Sequence, residues 1–125
     1  MNKRKYGNKK VRVNGITFDS KAEASYYKLL LLLQKSGEVE SFEMQKRYIL
    51  IDKFKHPTTG KTVRSISYTP DFVVKYTDGT TKVIDVKGFE TKTFKLKAKI
   101  FMNRYNIPLV LAKVSKNGRF SHKEF

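Results

Sequence analysis

The sequence contains no cysteine, which excludes disulfides and thiolate metal ligands and is compatible with a reducing cytoplasm. It also lacks a long hydrophobic run. The longest, Leu29 to Leu33, falls far short of the roughly 20 apolar residues that a membrane-spanning helix needs. No apolar stretch follows the basic Lys3, Arg4 and Lys5, so a secretory signal is not expected. Acid is scarce too, with 11 Asp and Glu against 27 Lys and Arg and a formal net charge of +16. A surface so one-sided repels itself unless a polyanion covers it, and nucleic acid is the expected partner. Ribosomal-type proteins and binders of membrane surfaces share this charge balance, so charge argues for binding and not for chemistry. What the chain does have is sufficient for a core: 125 residues, 39% hydrophobic and 13% aromatic, the size of one domain.

Patterning divides the chain into a basic arm at 1–13, a folded unit at 14–114 and a polar, basic tail at 115–125. The arm reads as mobile or as a frayed first strand, and Asn14-Gly15 marks a turn. Tyr26, Leu29, Leu30 and Leu33 recur at helical spacing, which predicts a helix from about Ser20 to Ser36, stopped by Gly37. Val39 to Ile51 is apolar and β-branched and reads as one long or interrupted strand. His56-Pro57-Thr58-Thr59-Gly60 marks a loop or hairpin tip. Tyr68 to Tyr76 and Thr80 to Val86 are β-rich runs around Thr77-Asp78-Gly79, a hairpin. Phe94, Ala98, Phe101, Met102 and Tyr105 return at helical spacing, ended by Asn106 and Pro108, and Leu109 to Val114 is a buried strand. The order predicts a single α/β domain, with one mixed sheet flanked by two helices.

The hairpin decides whether two acids meet. A two-residue Asp78-Gly79 turn sets Phe72 opposite Asp85 and sends Asp71 to the other face. A three-residue turn with Gly79 left-handed pairs Tyr76 with Thr80 and sets Asp71 across from Asp85, with α-carbons about 5 Å apart. Asp in the middle and Gly last favour the second. Lys87, two residues past Asp85, shares its face. Two carboxylates at that range repel unless a proton, a cation or open water relieves them. Hard oxygen donors in this arrangement suit magnesium, with manganese as substitute. Glu23 falls on the first turn of the helical stripe that faces the sheet, and so becomes the third acid of the group.

Each feature has a blander account. Ser20-Lys21-Ala22-Glu23 fits a helix capping box; Asp85-Val86-Lys87 fits a solvated strand edge with alternating charges; Pro70-Asp71 fits an ordinary strand start. Together these accounts weaken, because so few acids are available and three of them fall where one fold gathers them. His56 and His122 fall in polar loops without companions at ligand spacing and read as surface residues. Lys9 and Lys10 in the arm, and Lys92, Lys95 and Lys99 along one helical face, are candidates for phosphate contact.

Glu23, Pro70-Asp71 and Asp85-Val86-Lys87 in this setting resemble the PD-(D/E)XK nuclease superfamily. Tyr68-Thr69-Pro70-Asp71-Phe72 with Lys87-Gly88 further resembles junction-resolving endonucleases of bacteriophages. The stretch from Gly15 to Glu23 and on through Asp85-Val86-Lys87-Gly88-Phe89 is similar to a small phage and prophage family of unknown function. The likeness covers most of residues 14–105. It implies a restriction-endonuclease-like αβββαβ core in a bacterial host cell. It also implies a magnesium ion held by Asp71, Asp85 and the Val86 carbonyl, with Glu23 acting through water or holding a second ion. Lys87 would orient the attacking water or stabilise the transition state, and the products would be a 5′-phosphate and a 3′-hydroxyl. The expected activity is cleavage of DNA, selective for branched structures such as a Holliday junction, with a homodimer as the candidate assembly. The alternatives are a non-catalytic nucleic-acid-binding protein and a sequence-specific nuclease of restriction type.

Overall fold

The computed structural model describes residues 9–86 and 90–125, so residues 1–8 of the arm and the expected site residue Lys87 lie outside the described residues. Strands β1 (Val11–Val13) and β2 (Ile16–Phe18) form a small hairpin around Asn14-Gly15. The chain then enters α1 (Lys21–Ser36), where the Ser20 hydroxyl accepts from the Glu23 amide at 3.1 Å. This is the serine half of the capping box, and it satisfies one of the helix's orphan donors. Gly37, at φ 91°, turns the chain left-handed, and the Glu38 amide reaches back to the Leu33 carbonyl at 3.0 Å. A β-carbon at that φ would be strained, so glycine ends the helix there.

Five strands build the main sheet, in the order β11 (Phe120–Glu124), β10 (Leu109–Val114), β9 (Thr81–Val86), β8 (Phe72–Tyr76) and β3 (Val39–Met44). The β9–β10 pair is parallel and the other three pairs are antiparallel. Helix α2 (Lys92–Tyr105) makes the crossover from β9 to β10. Alternation sends Phe72, Val74, Ile84 and Val86 to one face, where they pack with Tyr26 and Leu30 of α1. Val73 and Val83 face the other way, against Ala98 and Phe101 of α2. The fold is therefore a single α/β domain, a mixed sheet with one helix on each face. Among the described residues no helix is long and apolar enough to cross a membrane.

The reading of the C-terminal segment needs correction. The segment from Ser115 onward is no tail, since Phe120 to Glu124 pair with Val114 to Val110 as an edge strand of the main sheet. His122 accordingly sits in a strand and not in a loop, with its Nε2 3.0 Å from the Tyr26 hydroxyl. The strand was hidden because only Phe120 packs inward and residues 121–124 are exposed. The Val39–Ile51 run is interrupted at Gln45, whose φ is 57°. Beyond that break β4 (Tyr48–Ile51), β5 (Phe54–Lys55), β6 (Thr62–Val63) and β7 (Ile66–Tyr68) leave the main sheet and pair among themselves as one ribbon.

Candidate metal centre

The β8–β9 turn fixes the register. The Tyr76 amide donates to the Thr80 carbonyl at 2.8 Å, the Gly79 amide to Tyr76 at 3.0 Å, and Gly79 is left-handed at φ 92°. Asp78 locks the turn by accepting from the Thr80 amide at 2.9 Å. This is the three-residue turn, and Phe72 lies opposite Ile84. One step further along the ladder, Asp71 lies across from Asp85.

At that step the strands part. The Asp71 carbonyl accepts from the Gln45 amide at 3.4 Å, and the Asp71 carboxylate takes the Val86 amide at 2.8 Å where a backbone carbonyl would otherwise stand. Preceding Asp71 is Pro70, which has no amide of its own to place. Asp85 is 2% exposed and accepts from the Tyr68 hydroxyl. Tyr68 is itself packed against Phe94 and Phe101. Its phenol is held well above the usual range by burial first and then by the charge of Asp85, so it stays a donor.

Both acids are thus buried, and no described cation pairs with them. Burial, then the negative charges of Asp85 and Glu23, hold the Asp71 proton well above the ordinary carboxylate range, while the Val86 amide pulls the other way.

Glu23 is partly buried on the first turn of α1. It lines a cavity of about 270 Å³ together with Asp71, Asp19, Gln45, Met44 and Phe72. Asp71 stands in the middle, across from Asp85 on one side and lining the cavity shared with Glu23 on the other. Among the described residues no three His, Cys, Asp or Glu side chains gather closely enough to form a metal group by themselves. The donor set nevertheless fits magnesium, which uses one or two carboxylates and completes its shell with waters and substrate phosphate. Val86, buried at the end of β9, is engaged through its amide.

Of the candidate phosphate contacts, Lys92, Lys95 and Lys99 are exposed on α2 and Lys9 is exposed ahead of β1. Lys10 lies 3.1 Å from Asp19 in an exposed ion pair. Sequence reasoning missed Tyr68 as the partner of Asp85. The signal available was Pro70, which breaks the Tyr68–Tyr76 run and leaves Tyr68 on a separate strand.

Residues 3–121 match a family model described as Protein of unknown function (DUF1064). No curated protein matches the chain. A solved structure titled "Crystal structure of SSO0001" is similar at 16% identity and a TM-score of 0.46 over 82% of this chain. The chain spans 48% of that protein's length.

Proposed function

The chain belongs to the family described as Protein of unknown function (DUF1064), and from the site it carries we propose that it is a magnesium-dependent nuclease acting on DNA. One observation carries this reading: two buried carboxylates stand across from each other on a hairpin, beside a cavity that Glu23 also lines. Burying uncompensated charge costs several kcal/mol, so a fold keeps such a pair where the pair has work to do.

Asp71 and Asp85 would hold the ion, with Glu23 reaching it from the cavity side. When bound, magnesium would acidify a water and neutralise charge on the phosphate under attack. The protein's own part is positional. The Val86 amide fixes one Asp71 oxygen and Tyr68 fixes one Asp85 oxygen, leaving the remaining oxygens as donors of set direction. Lys87, which follows Val86 directly in sequence, is assigned to the attacking water or the transition-state oxygens. The net charge of +16 supports a polyanionic substrate. Recognition of backbone and shape, as in branched DNA, is the form of this reading taken to the test. Two cuts on opposite strands would then come from a homodimer.

The test is incubation of the purified chain with a four-way junction, a fork, a plain duplex and a single strand, each with magnesium, manganese or chelator. Cleavage with either metal and none in chelator is expected, strongest on the junction. Binding without cleavage under every condition would leave a non-catalytic DNA-binding protein. Cutting confined to particular duplex sequences would place the chain with restriction-type nucleases.

A further inference from the structure

The segment between Gln45 and Pro70 meets the acidic site through Tyr68, on its last strand, and the rest of it forms a structure of its own. Tyr48 lies opposite Tyr68, Ile51 opposite Ile66, Phe54 opposite Val63 and Lys55 opposite Thr62. After a bulge at Leu50 the register from Ile51 to Lys55 is unbroken, so the four short strands are one two-stranded ribbon. Its root is clamped to α2. Tyr48 packs edge-on to Phe101 at 4.9 Å, Arg104 donates to the Leu50 carbonyl at 2.7 Å, and the Tyr105 hydroxyl donates to the Ile49 carbonyl at 2.7 Å. Beyond the root every residue from 51 to 62 is exposed. The ribbon therefore projects from the body, by about 20 Å at the usual rise of a strand.

Charge is distributed unevenly along it. Asp52 turns back to Arg104 of α2 at 3.5 Å, so Lys53, one residue on, faces away from α2. The register sets Arg64 across from Lys53, and Lys55 follows two residues later on the same face. Like charges directly opposite one another destabilise a ladder. Elsewhere the fold gives Lys10, Lys46, Lys75, Lys82 and Arg104 acidic partners. Lys53, Lys55 and Arg64 have none among the described residues. A projecting, rooted, two-stranded ribbon with an unneutralised cationic face is complementary to a duplex, whose major groove, about 12 Å wide, admits such a ribbon between two rows of phosphates.

We propose that the ribbon of residues 48–68 enters the major groove of duplex DNA, with Lys53, Lys55 and Arg64 on the flanking phosphates. This deepens the reading of DNA as the partner but is independent of whether the acids cut it. The experiment is fluorescence anisotropy on a labelled 30-base-pair duplex in chelator, over a range of salt, so that no chemistry enters. A triple variant, Lys53→Ala with Lys55→Ala and Arg64→Ala, is compared with a charge-matched control, Lys28→Ala with Lys35→Ala and Lys116→Ala. All six side chains are exposed, and thermal melts confirm that both variants fold. The ribbon variant is expected to bind about 10- to 100-fold more weakly and to lose about 2 to 3 units of salt slope, close to 0.9 per phosphate released. The control is expected to change little. Equal losses in the two variants would overturn the proposal, because diffuse charge would then suffice. So would a parent that binds no duplex, or a loss confined to single-stranded DNA. A ribbon effect in a chain that cuts nothing with either metal would sustain the proposal while removing the nuclease.

Discussion

Tyr68 donates its hydroxyl to Asp85 across the break between two sheets. The tyrosine stands at the end of the projecting ribbon and the aspartate at the end of the central strand of the main sheet. The element proposed to grip DNA thus ends in the hydrogen bond that positions one of the acids.

Removing that hydroxyl leaves a buried carboxylate short of a donor. Tyr68→Phe is expected to lower the stability of the metal-free protein by about 1–3 kcal/mol in denaturant unfolding, since an unsatisfied buried acceptor costs that much. Added manganese is expected to narrow the gap, because a cation compensates the same carboxylate. A variant as stable as the parent in chelator would show that the bond holds nothing in place.

The raised Asp71 carboxyl makes stability depend on pH. The folded state holds this proton more tightly than the unfolded chain does, so the contribution is complete below the ordinary carboxylate range and is lost as pH rises through the raised value. In chelator the melting temperature is expected to fall across this window. Asp71→Asn, which carries no titrating group, is expected to flatten the fall. A parent and variant with parallel profiles would contradict the raised Asp71 carboxyl.

Glu23 adds to the charge that Asp71 feels. Glu23→Gln is expected to reduce the pH slope in part and to slow cleavage about 10-fold or more, the work of about 1.4 kcal/mol on the barrier. Helix α1 is expected to survive the change, because Ser20 caps the backbone amide at position 23, which the substitution leaves in place. Circular dichroism and a cleavage assay read the two effects separately; unchanged cleavage would return Glu23 to a purely structural role.

Gly79 keeps the acids in register from a distance. At φ 92° with open space around it, Gly79→Ala meets backbone strain and no clash, and a loss of about 1 kcal/mol is expected. Cleavage by the folded fraction is expected to be unchanged. A selective loss of cleavage would mean that the turn had slipped.

Much of this centre was legible in the residues. Thr77-Asp78-Gly79 has the chemistry of one turn length, turn length sets parity, and parity places Asp71 across from Asp85. Both helices announced themselves through periodic apolar faces and their end residues, Gly37 and Asn106. The ribbon did not, because residues 51–62 are exposed on both faces and so carry no buried period for a pattern to follow. β11 was hidden for a related reason, as an edge strand whose sequence, Ser121-His122-Lys123-Glu124, reads as polar throughout. Tyr68 passed for one more strand aromatic; its role depends on a contact made 17 residues away.

The most direct test compares magnesium-dependent nicking of supercoiled plasmid by the parent and by Asp85→Asn, with folding and duplex affinity measured on the same samples in chelator. Asparagine keeps the shape and the acceptor for Tyr68 while removing the charge that would hold the ion. The expected result is an intact, DNA-binding variant that cuts about 100-fold more slowly or worse, equivalent to roughly 3 kcal/mol of lost transition-state stabilisation. A folded Asp85→Asn protein that nicks as fast as its parent would contradict the assignment.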